Sequence, residues 1–398
     1  MLILRSSKSI SDRLLEEPIA KKDYWWDVVE AVLIVSRDTP VGARVFADKT
    51  FKHIVRLARH FSPDVCSAAA NWLGGSGDPR WLEELVKLAQ DDEFSEHTAS
   101  ALERWGDQFT FEGLAMLART GGFGARRAVT KGLADSCDPR AFQELLRLVE
   151  NDNYFVSACA ARGLASRGDP GMLAELGRLA RNENKNVRKA AAGALGICGD
   201  PDAFDKLLTL TQDGEPDDVR GVAAEGLGEC GDPRAFEELI TLSRDESVSV
   251  RIGAAKGFGA CGDPRAFEEL ARLARTGNYA VRVPAARWLG TFDNPRVFEE
   301  LLGSVWTGNH DVRSAVAQGL GACRDPRAFE ELISLAQDRH YFVSMYATEA
   351  LGAHGDPRAA DVLISLLDSA NGVTALRSLR KLAATDRSIR LPLSLLGR

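Results

Sequence analysis

The chain has 398 residues, of which 45% are apolar and 27% are charged, and its formal net charge is −7. This balance is typical of a soluble folded protein, and a mildly acidic chain does not fit a general binder of nucleic acid or anionic membranes. No segment approaches the roughly 18–20 apolar residues that a membrane span needs, and no apolar signal region follows Met1. The expected location is therefore the cytoplasm.

The first predicted element is an N-terminal capping helix with a loop, over residues 1–47. Its helix runs from Tyr24 to Arg37 and is rich in valine and tryptophan. The first unit of a repeat array has no preceding neighbour, so its apolar side needs such a cover.

Residues 48–368 repeat one motif about eleven times. The repeat is marked by the apolar residue at the Phe position of Asp-Pro-Arg-Ala-Phe-Glu-Glu-Leu, which recurs at intervals of 29 to 32 residues. These positions are Phe51, Leu82, Phe111, Phe142, Leu173, Phe204, Phe236, Phe267, Phe298, Phe329 and Ala360. A period of this length predicts stacked helical hairpins, because one hairpin cannot bury its own apolar face.

The first helix of each repeat is illustrated by the unit that begins at Asp232. Asp232 is a favourable N-cap residue, and Pro233 suits the first helical position. Phe236 and Leu239 then begin an apolar stripe with a period near 3.6 residues, which predicts an amphipathic helix.

The second helix of the same unit is predicted from Val248 to about Cys261. It contains small residues such as Gly257, which cost helix propensity but allow a neighbouring helix to approach closely. Gly262 is expected to end the helix, and the next Asp-Pro pair starts the following unit.

Residues 369–398 are predicted to form a C-terminal capping helix, from about Val373 to Ala384, and a tail that begins near Arg387. The predicted fold is all-α: a right-handed α-solenoid of about eleven two-helix repeats with capping helices at both ends.

Two motifs resemble a known repeat family. The first is Gly-Asp-Pro-Arg-Ala-Phe-Glu-Glu-Leu, and the second is Val-Arg-x-x-Ala-Ala-x-Gly-Leu-Gly, which begins at Val187, Val219, Val250 and Val312. They resemble the HEAT-like repeat named after phycobilisome lyases, across about residues 48–368. The resemblance implies a solenoid, but similar repeats occur in phycobilin lyases, deoxyhypusine hydroxylases, alkylpurine DNA glycosylases and many scaffolds. It therefore indicates the fold and leaves the function open.

An arginine follows the motif valine, or the alanine that replaces it, in six repeats. These residues are Arg126, Arg188, Arg220, Arg251, Arg282 and Arg313. We interpret them as an internal ladder in which each guanidinium bonds an acid or a carbonyl near the turn. The alternative is a rail of cations that binds phosphate groups.

A second row of residues varies in chemistry while its neighbours stay fixed, so core packing does not dictate it. It lies on the second helices, which line the concave surface in solenoids of this kind. We predict that this row binds a partner through Lys131, Arg162, Glu225, Lys256, Arg287, Gln318 and Glu349. Ala192 is assigned to the same row. The alternative is an ordinary solvated helix surface.

Aromatic residues occupy one turn position, two residues before the motif valine, as Tyr154, Tyr279 and Tyr341. This aromatic edge could receive a peptide or a flat ligand, because tyrosine is favoured at interfaces. The interpretation we prefer from sequence is packing of the turn against the adjacent repeat.

Catalytic residues and metal ligands are not predicted. None of the six histidines is followed by glutamate, whereas deoxyhypusine hydroxylases use His-Glu pairs to hold iron. Five cysteines, Cys137, Cys198, Cys230, Cys261 and Cys323, recur near the turn of successive repeats, without a CxxC pair for zinc. They are expected to be small, buried, reduced thiols.

Three functions from different classes follow from these patterns. We favour a non-enzymatic protein-binding scaffold or regulatory adaptor without a cofactor. One alternative is a phycobilin lyase or chromophore chaperone that binds an open-chain tetrapyrrole. The other is a nucleic-acid-binding module, favoured by 13 basic and 8 acidic residues over 119–199 but opposed by 7 basic and 17 acidic residues over 200–270.

Overall fold

The computed structural model describes residues 111–385 except 152, 170, 308 and 368, and also Val55, Glu84, Lys87 and Leu88. The predicted N-terminal cap, most of the first two repeats and the tail from Arg387 lie outside the described residues. The chain divides into two compact units, Met1–Asp138 (unit 1) and Pro139–Arg398 (unit 2).

Unit 1 contains one described hairpin, formed by α1 (Phe111–Thr120) and α2 (Phe123–Asp135). The two helices pack against each other. Leu114 and Leu117 of α1 and Val129 and Leu133 of α2 supply its buried apolar side chains.

Unit 2 contains eight described hairpins and, among its described residues, no β-strand. The first helices are α3 (Arg140–Val149), α5 (Met172–Leu179), α7 (Ala203–Leu210), α9 (Ala235–Leu242), α11 (Ala266–Thr276), α13 (Val297–Thr307), α15 (Arg327–Ala336) and α17 (Ala359–Ser365). The second helices are α4 (Tyr154–Arg167), α6 (Lys185–Ile197), α8 (Asp217–Glu229), α10 (Val248–Ala260), α12 (Tyr279–Leu289), α14 (His310–Ala322), α16 (Tyr341–His354) and α18 (Gly372–Thr385). The predicted all-α class and the two-helix repeat are confirmed.

The start of each first helix differs slightly from the prediction. The carboxylate of Asp232 accepts a hydrogen bond from the amide of Arg234 at 2.8 Å, and its carbonyl accepts one from Ala235 at 3.0 Å. The aspartate therefore closes a tight turn first, and α9 begins at Ala235, two residues later than expected. Asp263 and Asp325 do the same in later repeats.

The second helices pack directly on one another along unit 2, whereas the first helices pack chiefly on second helices. The contact between α8 and α10 shows how close they come. A Cβ placed on Gly228 would lie 2.1 Å from the carbonyl oxygen of Gly257, so only glycine permits this approach. Gly262, which follows the C-cap residue Cys261 of α10, adopts φ 69°, as expected for a glycine that ends a helix.

The valine of the second motif lies in the centre of the stack. Val219, Val250, Val281, Val312 and Val343 are all fully buried. Full burial of such a side chain contributes roughly 1.5–3 kcal/mol. This position therefore fixes which side of each second helix faces the core and, by exclusion, which side is available to a partner.

Candidate partner-binding face

The arginines that follow the motif valine are engaged in the stack. Arg126 Nε donates to the carbonyl of Gly121 at 2.8 Å, and Arg251 Nη1 donates to the carbonyls of Asp245 and Glu246 at 2.6 and 2.8 Å. Arg188, Arg220 and Arg313 reach an acid in the next repeat, namely Glu215, Asp245 and Asp338 respectively. Arg282 donates to the carbonyls of Ala274 and Ser304. The predicted internal ladder is confirmed.

An open cleft of about 930 Å³ lies between two turns of this ladder. Its lining includes Asp213, Asp217 and Glu246 around Arg220, whose guanidinium bonds Asp245. Because the central cation is already paired across the repeat boundary, the cleft is part of the ladder rather than a separate site.

A second arginine ladder was missed from sequence. The Asp-Pro-Arg arginine lies over the phenylalanine of the preceding repeat, as Arg265 does over Phe236, with 4.0 Å from Cζ to the ring centroid. Arg265 also pairs with Glu237 of that repeat at 2.9 Å and with its own Asp263 at 2.7 Å. The same ring contact recurs at Arg234, Arg296, Arg327 and Arg358. The signal was present in the sequence, because a phenylalanine precedes each of these arginines by about one repeat.

The side of the second helices opposite the buried valine is called here the second-helix face. It comprises the residues two before, two after and six after the valine, which lie four apart and therefore share one side of a helix. In α10 these are Val248, Ile252 and Lys256, and in α12 they are Tyr279, Val283 and Arg287. All six are exposed or partly exposed.

The predicted row forms the charged end of this face. Arg162, Arg287 and Glu349 are exposed, while Glu225, Lys256 and Gln318 are partly buried. Lys131 is exposed on α2 of unit 1. The row therefore lies on the accessible side of the helices, and partner binding through it stays a prediction.

One residue was assigned to the row incorrectly, and one residue that belongs to it was missed. Ala192 is fully buried, because the motif in α6 starts at Val187 and the sixth residue after it is Gly193. In the last described hairpin the valine position is taken by Asn371, the residue directly before α18, which is 4% exposed, so the motif is unrecognisable from sequence. The sixth residue after Asn371 is Arg377, which is exposed and extends the row by one repeat.

Charges interact across the middle of the row. Lys256 Nζ lies 2.9 Å from Glu225 Oε2 in the preceding repeat. Burial, and then the Glu225 carboxylate, raise the pKa of Glu229, although Arg162 and Lys256 oppose this. Arg162 makes no ion pair with any residue in the described part of the chain.

The aromatic edge divides into two kinds of site. Tyr154 is partly buried, with Lys189 Nζ 4.3 Å from its ring centroid, so the packing interpretation fits this residue. Tyr279 and Tyr341 are 63% and 50% exposed, and for them the packing interpretation is wrong. His310 occupies the same position in the intervening repeat and stacks on His340 at 4.0 Å between ring centroids.

The recurring thiols are less buried than expected: Cys323 is buried, whereas Cys198, Cys230 and Cys261 are partly exposed. Burial raises the pKa of Cys198, Cys230, Cys261 and Cys323, which holds each as a neutral thiol. Cys137 is exposed, contrary to the expectation of burial. No group of three or more histidine, cysteine or acidic side chains that could hold a metal lies among the described residues.

Comparison with known proteins gives the family and the fold. A model described as HEAT repeats matches residues 156–228, 209–289, 236–321 and 307–383, and one described as PBS lyase HEAT-like repeat matches 65–91. No curated protein matches the sequence significantly. Within the described residues, no helix is both long enough and apolar enough to cross a bilayer.

Solved structures with similar folds include three helical-repeat proteins. Human deoxyhypusine hydroxylase is 19% identical over 63% of this chain and 97% of that chain, with a TM-score of 0.30. The CpcE–CpcF complex of a phycocyanin lyase from Nostoc is 17% identical over 69% and 95%, with a TM-score of 0.37. Yeast importin-β is 12% identical over 84% and 56%, with a TM-score of 0.42. At these identities and scores, none of the three supports a functional inference.

Proposed function

We propose that this chain, which belongs to the family of HEAT repeat proteins, is a non-enzymatic scaffold or regulatory adaptor. It binds another protein or a peptide through the second-helix face. Within unit 2, the polar part of the proposed surface comprises Arg162, Glu225, Lys256, Arg287, Gln318, Glu349 and Arg377; Lys131 occupies the equivalent position on the second helix of unit 1. We further propose that the protein acts in the cytoplasm, without a cofactor and without a nucleic-acid partner.

The proposal rests on which arginines are bonded within the stack and which are not. Those of the two ladders are bonded to carbonyls, acids and rings of neighbouring repeats. Arg287 instead is exposed on the second-helix face and makes no ion pair with any described residue. A charged group that the stack does not use is available to a partner, and complementary charge gives specificity and faster association.

The packing of unit 2 supports the same surface. Neighbouring second helices approach each other so closely that their backbones touch. Neighbouring first helices are farther apart, because they pack chiefly on second helices. This difference favours curvature with the second helices on the inner side. Repeat proteins use such extended inner surfaces for binding.

The test is affinity capture of the tagged full-length chain from its native lysate, followed by mass spectrometry and an absorbance scan of the eluate. Arg287→Glu should reduce recovery of the main protein partner several-fold, since truncation or reversal of an interface charge weakens association. Arg324→Glu is the matched control, because Arg324 is 83% exposed in its side chain but lies in the turn after α14. Both variants should melt like the unaltered chain.

The outcomes separate the candidate functions. Loss of the partner with Arg287→Glu but not with Arg324→Glu supports binding at the second-helix face. Equal recovery with all three proteins contradicts it. A bound visible chromophore in the eluate would overturn the scaffold proposal in favour of a chromophore carrier.

A further inference from the structure

We propose that the exposed aromatic row formed by Tyr279, His310 and Tyr341 binds a proline-rich segment in the polyproline II conformation. An acidic residue of that segment pairs with Arg287. The inference rests on the proposed function, because it names the class of segment that the second-helix face would take.

The three residues are equivalent positions in successive repeats. Each is the first residue of a second helix, α12, α14 or α16, and lies two residues before the buried motif valine. Tyr279 and Tyr341 are 63% and 50% exposed, and the side chain of His310 is 47% exposed. Single exposed rings are ordinary, but several at equivalent positions of successive repeats form an extended exposed surface of the kind that marks an interaction site.

The rings near α14 and α16 form one continuous cluster. The His310 and His340 rings stack at 4.0 Å with an interplanar angle of 25°. His340 lies 5.9 Å from Phe342, which lies 5.4 Å from Tyr341. The amide of His340 donates to Asp338 at 2.8 Å, and Asp338 is in turn held by Arg313. The cluster is therefore anchored to the arginine ladder before any partner binds.

The spacing expected between helices of successive repeats matches the pitch of polyproline II. Neighbouring packed helices lie roughly 8–10 Å apart, which sets the distance between successive row residues. A polyproline II helix advances about 3.1 Å per residue with three residues per turn, or about 9.3 Å per turn. A proline at every third position would therefore meet one ring in each repeat.

The chemistry of the row also fits this conformation. Each member combines a flat ring with a hydrogen-bond donor, the hydroxyl of tyrosine or an imidazole N–H. A polyproline II segment has no internal hydrogen bonds, so its carbonyls are available as acceptors, and such segments dock on aromatic-lined grooves. An amphipathic helix would need a continuous apolar groove, but the polar His310 interrupts the row.

Charge complementarity specifies the acidic residue. Arg287 lies eight residues after Tyr279 on the same side of α12, and Arg339 precedes His340 at the edge of the ring cluster. Both are exposed and make no ion pair with any described residue. Two exposed carboxylates lie near the row: Asp311, 3.5 Å from His310 Nε2, and Glu349, eight residues after Tyr341. The acidic residue of the segment is therefore expected at the Tyr279 end of the row, beside Arg287. The N-termini of α12, α14 and α16 add partial positive charge.

The experiment uses the full-length chain and fluorescein-labelled synthetic peptides, with fluorescence anisotropy as the readout. The test peptide repeats the triplet Pro-Pro-Glu. One control peptide repeats Gly-Gly-Glu, which keeps the negative charge but is a flexible coil. The other repeats Pro-Pro-Lys, which keeps the polyproline II conformation but carries positive charge. The test peptide should bind at least about tenfold more tightly than either control.

Variants locate the binding site. Combined Tyr279→Ala and Tyr341→Ala should weaken binding of Pro-Pro-Glu by about tenfold or more, because aromatic anchors dominate such contacts. Phe155→Ala is the matched control: Phe155 is equally exposed at 63% but lies at the start of α4. Arg287→Glu should weaken binding of Pro-Pro-Glu and strengthen binding of Pro-Pro-Lys. Unchanged melting of all variants shows that folding is intact.

The inference is overturned if Pro-Pro-Glu and Gly-Gly-Glu bind equally, if neither binds, or if the tyrosine variants bind like the unaltered chain. The proposed function fails separately, when Arg287→Glu leaves capture of the native protein partner unchanged. In one outcome, Arg287→Glu loses the native protein partner while the tyrosine variants still capture it. This outcome would support the proposed scaffold function and reject the proline-rich segment as its ligand.

Discussion

Replacing Gly228 with alanine should weaken the stack between α8 and α10. The added Cβ would lie 2.1 Å from the carbonyl oxygen and 2.4 Å from the Cα of Gly257, and ordinary contact begins at 3.4 Å. The two helices must therefore separate by about 1.3 Å, and both colliding groups are backbone. Overpacking of this kind costs about 1–3 kcal/mol and is offset by the roughly 1 kcal/mol of helix propensity that alanine adds.

The overpacking cost should be near the upper end of that range, because backbone cannot rotate away as a side chain can, so the net loss after the propensity gain is about 2 kcal/mol. For a unit of this size, such a loss lowers the melting temperature by roughly 4–8 °C. Circular dichroism during heating measures it. The matched control is Gly303→Ala in α13, where an added Cβ meets nothing within 4 Å and should raise the melting temperature. The close-packing assignment is refuted if Gly228→Ala melts at or above the temperature of the unaltered chain.

Two further predictions concern charged groups. Arg313→Ala should cost about 1–3 kcal/mol in urea unfolding, because it leaves the largely buried Asp338 carboxylate without its ion-pair partner. Arg265→Ala should cost less than about 1 kcal/mol, because the side chains of Arg265 and Glu237 are both exposed. Equal losses would contradict the distinction. Burial and the nearby Glu225 carboxylate raise the pKa of Glu229, so its charged form destabilises the fold as pH rises above the ordinary value of 4.5. Glu229→Gln should therefore increase the free energy of unfolding near neutral pH and lose this advantage in acid, and a pH-independent effect would reject the cause given.

The repeat period made the architecture predictable. The motif valine, the small residues of the second helix and the glycine that ends it recur at fixed spacing, and each has one physical role in packing. The bounds of α10 differ from the prediction by one residue at its end. The start of α9 was less accurate, because Asp232 can cap either a helix or a tight turn, and sequence alone does not distinguish them.

Contacts between repeats were harder to predict than contacts within them. The contact of Arg265 with Phe236 joins residues 29 apart, and both looked like ordinary positions of an amphipathic helix when one unit was read alone. Arg377 was missed because its helix lacks the valine that marks the register. Exposure of Tyr279 was not predictable either, since an equivalent tyrosine, Tyr154, is covered by Lys189.

The two arginine ladders change how the charge of this chain should be interpreted. Many of its exposed acids and bases, such as Glu237 and Arg265, pair with each other across repeat boundaries, so their number says little about the charge of a partner. The residues that can determine which partner binds are those that do not take part in contacts between repeats, and these lie on the second-helix face. Substitutions in the ladders should therefore change stability with little effect on partner binding, except at Arg313, which holds the His310–His340 cluster through Asp338. Substitutions such as Arg287→Glu should do the opposite. A scaffold that separates the two roles can change its partner without refolding.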